Sequence, residues 1–118
     1  MIIGLPGETI SDYTATAKYI AQSGASGIKI SLLHILKDTD LYTDYCNGLF
    51  NAMTIEDYLY AIGAILPVLP ENMVVHRLTG DGPKNILAAP LWTTDKKRVL
   101  NTLHHYLKEN KIYQGKDL

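Results

Sequence analysis

Apolar residues recur along this chain with two different periods, and the changes of period divide it into elements. Met1-Ile2-Ile3 is a short apolar run that reads as the last few residues of a β-strand. Gly4-Leu5-Pro6-Gly7 turns the chain, and Thr9 with Asp12 predicts a helix cap with an acid three residues on. Ile10, Tyr13, Ala17 and Ile20 then follow at helical spacing, and Gly24 is the expected stop. In Gly27-Ile28-Lys29-Ile30-Ser31-Leu32-Leu33 the period is two. Ile28, Ile30 and Leu32 share one face of a strand, and Lys29, Ser31 and Leu33 share the other. A short helix is predicted over 41–47, with Gly48 after it. Thr54 and Asp57 cap a longer helix over 55–68 whose stripe is Ile55, Tyr58, Ile62, Leu66 and Leu69. Pro67 should distort its last turn. Residues 73–78 read as a strand, 79–83 as a loop opening a short helix at Pro83, and 94–110 as a helix burying Val99, Leu100, Leu103 and Leu107. The polar tail 114–118 is expected to fray.

The order β-α-β-α-α-β-α predicts an α/β fold of parallel strands joined by crossover helices. Its first strand is short against the usual five or six residues, as if the element began earlier. With 118 residues the chain is one domain. It is too short for a complete eight-stranded barrel, which needs roughly 200 residues. A formal charge of −1 gives no reason to expect nucleic acid or an anionic membrane as a partner. The charge is uneven, with three basic and seven acidic side chains in residues 1–59 and eight and five in 60–118. No apolar run approaches the ~18 residues of a membrane span, and no signal pattern opens the chain, so the cytoplasm is the default compartment. Cys46 is the only cysteine. It can neither form an internal disulfide nor hold an iron–sulfur cluster by itself.

In parallel α/β folds chemistry gathers at the carboxyl ends of strands, which here means 4–9, 29–38 and 76–83. Gly4-Leu5-Pro6-Gly7-Glu8-Thr9 is either a tight structural turn or a ligand-contact loop; it is no P-loop, because no Lys-Ser/Thr follows. Lys29 could form a Schiff base, pair with a carboxylate, contact substrate, or be structural. His34 and His76, with Asp38, Asp40 and Asp81, lack HxxxH or HxH spacing, so hydrogen-bonded structural histidines are favoured over a metal site. Arg77 at a strand end could grip a carboxylate or phosphate, or tie its loop down through Asp81. Trp92 is expected to pack under Pro90 and Leu91.

Four stretches together resemble the radical S-adenosylmethionine (SAM) superfamily, in a subfamily of Fe–S oxidoreductase-like proteins of uncertain substrate. They are Ile2-Ile3-Gly4-Leu5-Pro6-Gly7-Glu8-Thr9, Gly27-Ile28-Lys29-Ile30-Ser31-Leu32-Leu33-His34, His76-Arg77-Leu78-Thr79-Gly80-Asp81-Gly82-Pro83 and Ala89-Pro90-Leu91-Trp92. The resemblance implies the carboxy-terminal part of an incomplete (β/α)6 barrel, with residues 1–40 as the end of the barrel and 41–118 as an α/β extension. It implies a parent enzyme in which a CxxxCxxC loop holds a [4Fe–4S] cluster and SAM is cleaved reductively to a 5′-deoxyadenosyl radical. Ile3, Gly4, Leu5, Pro6, Gly7 and Glu8 match the region packing on the adenine of SAM, and Ser31 and Leu32 the sixth-strand contact. Lys29, His34, Arg77 and Asp81 are candidate substrate or ion-pair residues. Two positions depart from the family's pattern: Ser31 stands where many relatives have histidine, and Asp38 where glycine precedes Thr39. The cluster loop is absent from these 118 residues, so the chain alone should bind neither cofactor nor metal and should be inactive, while its parent acts on a small-molecule or unknown substrate. An unpaired strand edge should drive dimerisation or element swapping. Two other readings remain: a non-catalytic α/β module that binds a ligand or partner, and a Schiff-base lyase using Lys29.

Overall fold

The strand at residues 27–32 organises the molecule, and the computed structural model describes residues 1–78 and 83–118 around it. It is divided at Ile30 into β2 (Gly27–Lys29) and β3 (Ser31–Leu32). β1 (Ile2–Ile3) runs parallel to β3, with Ile2 beside Ser31 and Ile3 beside Leu32. β5 (Val74–Arg77) runs parallel to β2. Successive backbone groups of a strand point to opposite edges. The Ser31 and Leu33 N–H groups donate to Met1 and Ile3, whereas the Ser26 carbonyl accepts from Val74. β1 and β5 therefore flank the same central strand on opposite sides.

Capping chemistry sets the helices. In α1 (Ile10–Gln22) the Asp12 carboxylate accepts the Thr9 backbone N–H at 2.7 Å. Thr39 caps α2 (Asp40–Cys46), and Thr54 caps α3 (Ile55–Ile65) by accepting the Asp57 N–H at 3.1 Å. Pro67 lies in the 3-10 turn Leu66–Val68 that follows α3, the distortion its ring demands. Asp95, rather than Thr94, caps α4 (Lys96–Glu109), because Thr94 is held in the 3-10 turn Leu91–Thr94.

The period-two reading of the central strand holds. Ile28, Ile30 and Leu32 are buried in one core with Ile3, Tyr13, Ala17, Tyr58, Ile62, Ile65, Val99 and Leu103, contributed by β1, α1, α3 and α4. Lys29 and Ile2 on the other face are exposed. Among the described residues the sheet is thus packed by helices on one face only.

Four expectations are corrected. The chain is not purely parallel: β4 (Ile35–Leu36) pairs antiparallel with β6 (Leu87–Ala89). No helix opens at Pro83. A turn at 84–86 leads into β6, where Leu87 and Ala89 are buried and Ala88 is not, a strand's alternation. Leu100 points outward and is 40% exposed, since the buried stripe of α4 is Val99 and Leu103. The tail is docked, not frayed. Gln114 Nε2 donates to the carbonyls of Pro70 and Met73, and the Gly115 and Asp117 N–H groups donate to Leu66 and Pro67.

Candidate functional site

Beyond Ile3 the chain must leave the sheet and enter α1 within six residues. Two glycines in the left-handed region allow it, Gly4 at φ +94° and Gly7 at φ +81°. Between them the Glu8 N–H donates to the Leu5 carbonyl at 3.2 Å. The Gly4 N–H donates to the hydroxyl of Tyr13 at 3.0 Å. Against this turn stands residues 50–53, whose Met53 carbonyl accepts the Trp92 indole N–H at 3.0 Å. Trp92 packs against the Tyr58 ring, with centroids 5.3 Å apart. Leu91 is 64% exposed. Burial pushes the Tyr58 phenol pKa up, and its O–H donates to the Leu78 carbonyl at 2.6 Å.

Turn and facing segment enclose an open hollow of about 230 Å³, lined by residues 4–8, Tyr13, residues 50–53 and Asp57. The first turns of α1 and α3 border it, and the amide dipoles of a helix start favour anions. This sequence cancels that preference with Glu8 and Asp12 at one helix and Glu56 and Asp57 at the other. Among the described lining residues there is no basic side chain. The hollow therefore suits a neutral or cationic group and repels a phosphate.

Of the residues singled out in the sequence, the fold brings together 4–8 and the end of β3. A Cβ built on Gly4 would lie 3.5 Å from Leu32 Cδ1 and 3.6 Å from Leu33 Cβ. The Leu32 side chain is turned into the core, and Ser31 is half-buried beside Ile2. Lys29 is not at this rim. Its register puts it four residues below the level of Gly4, roughly 13 Å at 3.3 Å per residue, and its carbonyl accepts the Met1 ammonium N–H at 2.8 Å. Its side chain is exposed and lacks the desolvation on which a Schiff-base lysine depends. His34 is half-buried, and among the described residues its Nε2 has no hydrogen-bond partner. Burial, followed by the positive charge of Lys96, lowers its pKa from the ordinary 6.5. The His76 ring lies over Gly27, 2.6 Å from where a Cβ would stand. Asp81 and the Arg77 side chain lie outside the described residues.

Sequence reasoning missed Tyr13, residues 50–53 and Asp57 as parts of this hollow, and Trp92 as the residue that fastens Met53 beside it. Tyr13 and Trp92 read as core, and no local signal shows that a segment some 45 positions away folds over the glycine turn.

The [4Fe–4S] cluster does not fit this chain. Cys46 is exposed at the end of α2, and among the described residues no three His, Cys, Asp or Glu side chains cluster as metal ligands. One edge of a nucleoside does fit: two glycines admit close backbone approach, and the lining has no anion-binding cation. The volume lies below the roughly 300 Å³ at which pockets begin to bury a whole small ligand.

Comparison with known proteins places the chain in a family. The model of the Radical_SAM C-terminal domain matches residues 25–109. The chain belongs to this family. It is 38% identical over 116 residues to the uncharacterized protein YtqA of Bacillus subtilis and 30% identical over 118 residues to the protein YhcC of Escherichia coli. The uncharacterized protein MJ0486 of Methanocaldococcus jannaschii is 28% identical over 116 residues. These matches take in 98–100% of this radical SAM-related chain but only 36–38% of each relative. Among the described residues no helix is long and apolar enough to cross a membrane.

Proposed function

We propose that this chain forms one wall of the SAM pocket of a cytoplasmic radical SAM enzyme. On this reading β1 and the β2/β3 strand are the last strands of an incomplete (β/α)6 barrel that ends near residue 40, and residues 41–118 are an extension closing over the rim. The observation that carries it is the sheet covered on one face only, with the glycine turn at its carboxyl end. In a barrel the helices lie outside and the uncovered face lines the lumen. Ile2, Lys29 and Ser31 are then lumen residues.

The cofactor pair supplies the radical chemistry. This chain's residues supply position and exclusion. The turn at Gly4 and Gly7 lets backbone approach a flat base, and residues 50–53 close on it from the other side. Glu8 and Asp57 disfavour phosphate-bearing nucleotides and leave SAM, which has none. The cluster cysteines must come from residues other than these, so the chain alone is inactive. It binds a nucleoside only at millimolar concentrations, too weakly to retain a cofactor. Exposed Ile2 on β1 and Val74 on β5, at opposite edges of the sheet, would be covered by self-association in the isolated chain; light scattering should show a mass rising with concentration, and a constant monomer mass would refute that.

To test the reading, this chain replaces the matching stretch of YtqA. Both proteins are reconstituted anaerobically with iron and sulfide, reduced, and assayed for cleavage of SAM to 5′-deoxyadenosine. Cleavage by both supports the proposal. Cleavage by YtqA and none by a folded, cluster-loaded chimera overturns it.

A further inference from the structure

We infer that Tyr13 is a positioning residue for the rim: its hydroxyl fixes the last peptide plane before the glycine turn and so sets where the turn meets a bound nucleoside. This rests on the SAM-wall reading and adds a residue to it. The plane joining Ile3 to Gly4 is held at both ends. Its carbonyl accepts the Leu33 N–H at 2.8 Å, and its N–H donates to Tyr13 Oη at 3.0 Å. One bond comes from the central strand and the other from α1, so the plane is locked between sheet and helix. Beyond it the chain has the freedom of Gly4 in the left-handed region and an exposed Gly7. Without the phenol oxygen, the strand bond would be the remaining hydrogen bond opposing reorientation of this rigid peptide plane through Ile3 ψ and Gly4 φ.

Tyr13 is suited to this. It is 4% exposed, its ring belongs to the core stripe of α1, and it also lines the hollow. A phenylalanine would satisfy the stripe equally well; only the oxygen reaches Gly4. A buried tyrosine commonly finds some partner for its hydroxyl, and what separates positioning from mere satisfaction is that the partner here is the first residue of the rim.

Two measurements on the chain test this. Amide exchange by NMR compares Gly4 with Gly7 in the wild type and in Tyr13→Phe. S-adenosylhomocysteine is then titrated into both proteins. The expected result is a Gly4 amide protected at least tenfold over Gly7. In Tyr13→Phe that protection is lost, while Leu103 in the core stays protected. The nucleoside dissociation constant rises about fivefold, the equivalent of one ordinary hydrogen bond. Unchanged Gly4 protection in the variant overturns the clamp, and lost protection with unchanged affinity overturns its role in positioning. No binding by the wild type at all removes the wall reading and this inference with it, a result distinct from the other two. Should Tyr13→Phe fail to fold, a wild-type Gly4 amide no better protected than Gly7 is enough to overturn the proposal.

Discussion

At the scale of single residues, two backbone positions with positive φ make opposite demands. Gly4 sits at φ +94°, and a Cβ there would meet its neighbours at ordinary contact distances of 3.5–3.7 Å. The cost of Gly4→Ala is thus conformational rather than steric, and denaturant unfolding should show a loss of about 1–2 kcal/mol. Asp38 has φ +64° without being glycine, at the position where the family pattern leads one to expect glycine. Asp38→Gly should raise stability by about 0.5–1 kcal/mol; a loss on substitution would show that the Asp38 side chain earns more than its backbone costs. His34 adds a pH term. Its pKa in the folded protein lies below the unfolded 6.5, so the fold holds the neutral ring. Its share of stability is complete above pH 6.5 and is lost as pH falls from there through the lowered folded value. Urea midpoints measured at about pH 7.5 and 5 should differ less in His34→Gln than in the wild type, because carboxylate contributions are common to both. An unchanged difference would refute the assignment.

At the scale of elements, legibility followed the range of the interactions. Thr9 with Asp12, Thr54 with Asp57, the stop at Gly24 and the kink at Pro67 are local, and each stands in the structure where its residues imply. The helix-facing side of the central strand was legible too, since alternation at Ile28, Ile30 and Leu32 is itself the burial pattern. β6 was not. Three residues at Leu87–Ala89 carry too little pattern to separate strand from helix, and their partner lies in β4, about fifty positions back. The tail misled for the same reason. Gln114 is polar in sequence, yet its amide spans two carbonyls 41 and 44 residues away. Gln114→Ala should therefore destabilise the fold by about 1–3 kcal/mol, because it leaves two part-buried acceptors to find water. A change below about 0.3 kcal/mol in thermal or urea unfolding would mean the tail only rests on the surface.

At the scale of the whole molecule, the described helices bury one face of the central sheet, and Ile2, Lys29 and Val74 are exposed. The glycine turn closes one end of that sheet, and residues 50–53, fastened by Trp92, lean over it. The chain belongs to the Radical_SAM C-terminal domain family and spans 36–38% of the length of the relatives it matches. Which residues line the hollow follows from long-range packing: the turn at 4–8 is singled out by its glycines in the sequence, and the segment 50–53 facing it is not. The claim is also a claim about place. Isotope-labelled chain titrated with S-adenosylhomocysteine to about 10 mM, within the weak range expected of a partial pocket, should shift the amides of residues 4–8, 31–33 and 50–57 and leave α4 unmoved. Shifts confined to other surfaces, or none along the glycine turn at the highest concentration, would contradict the account.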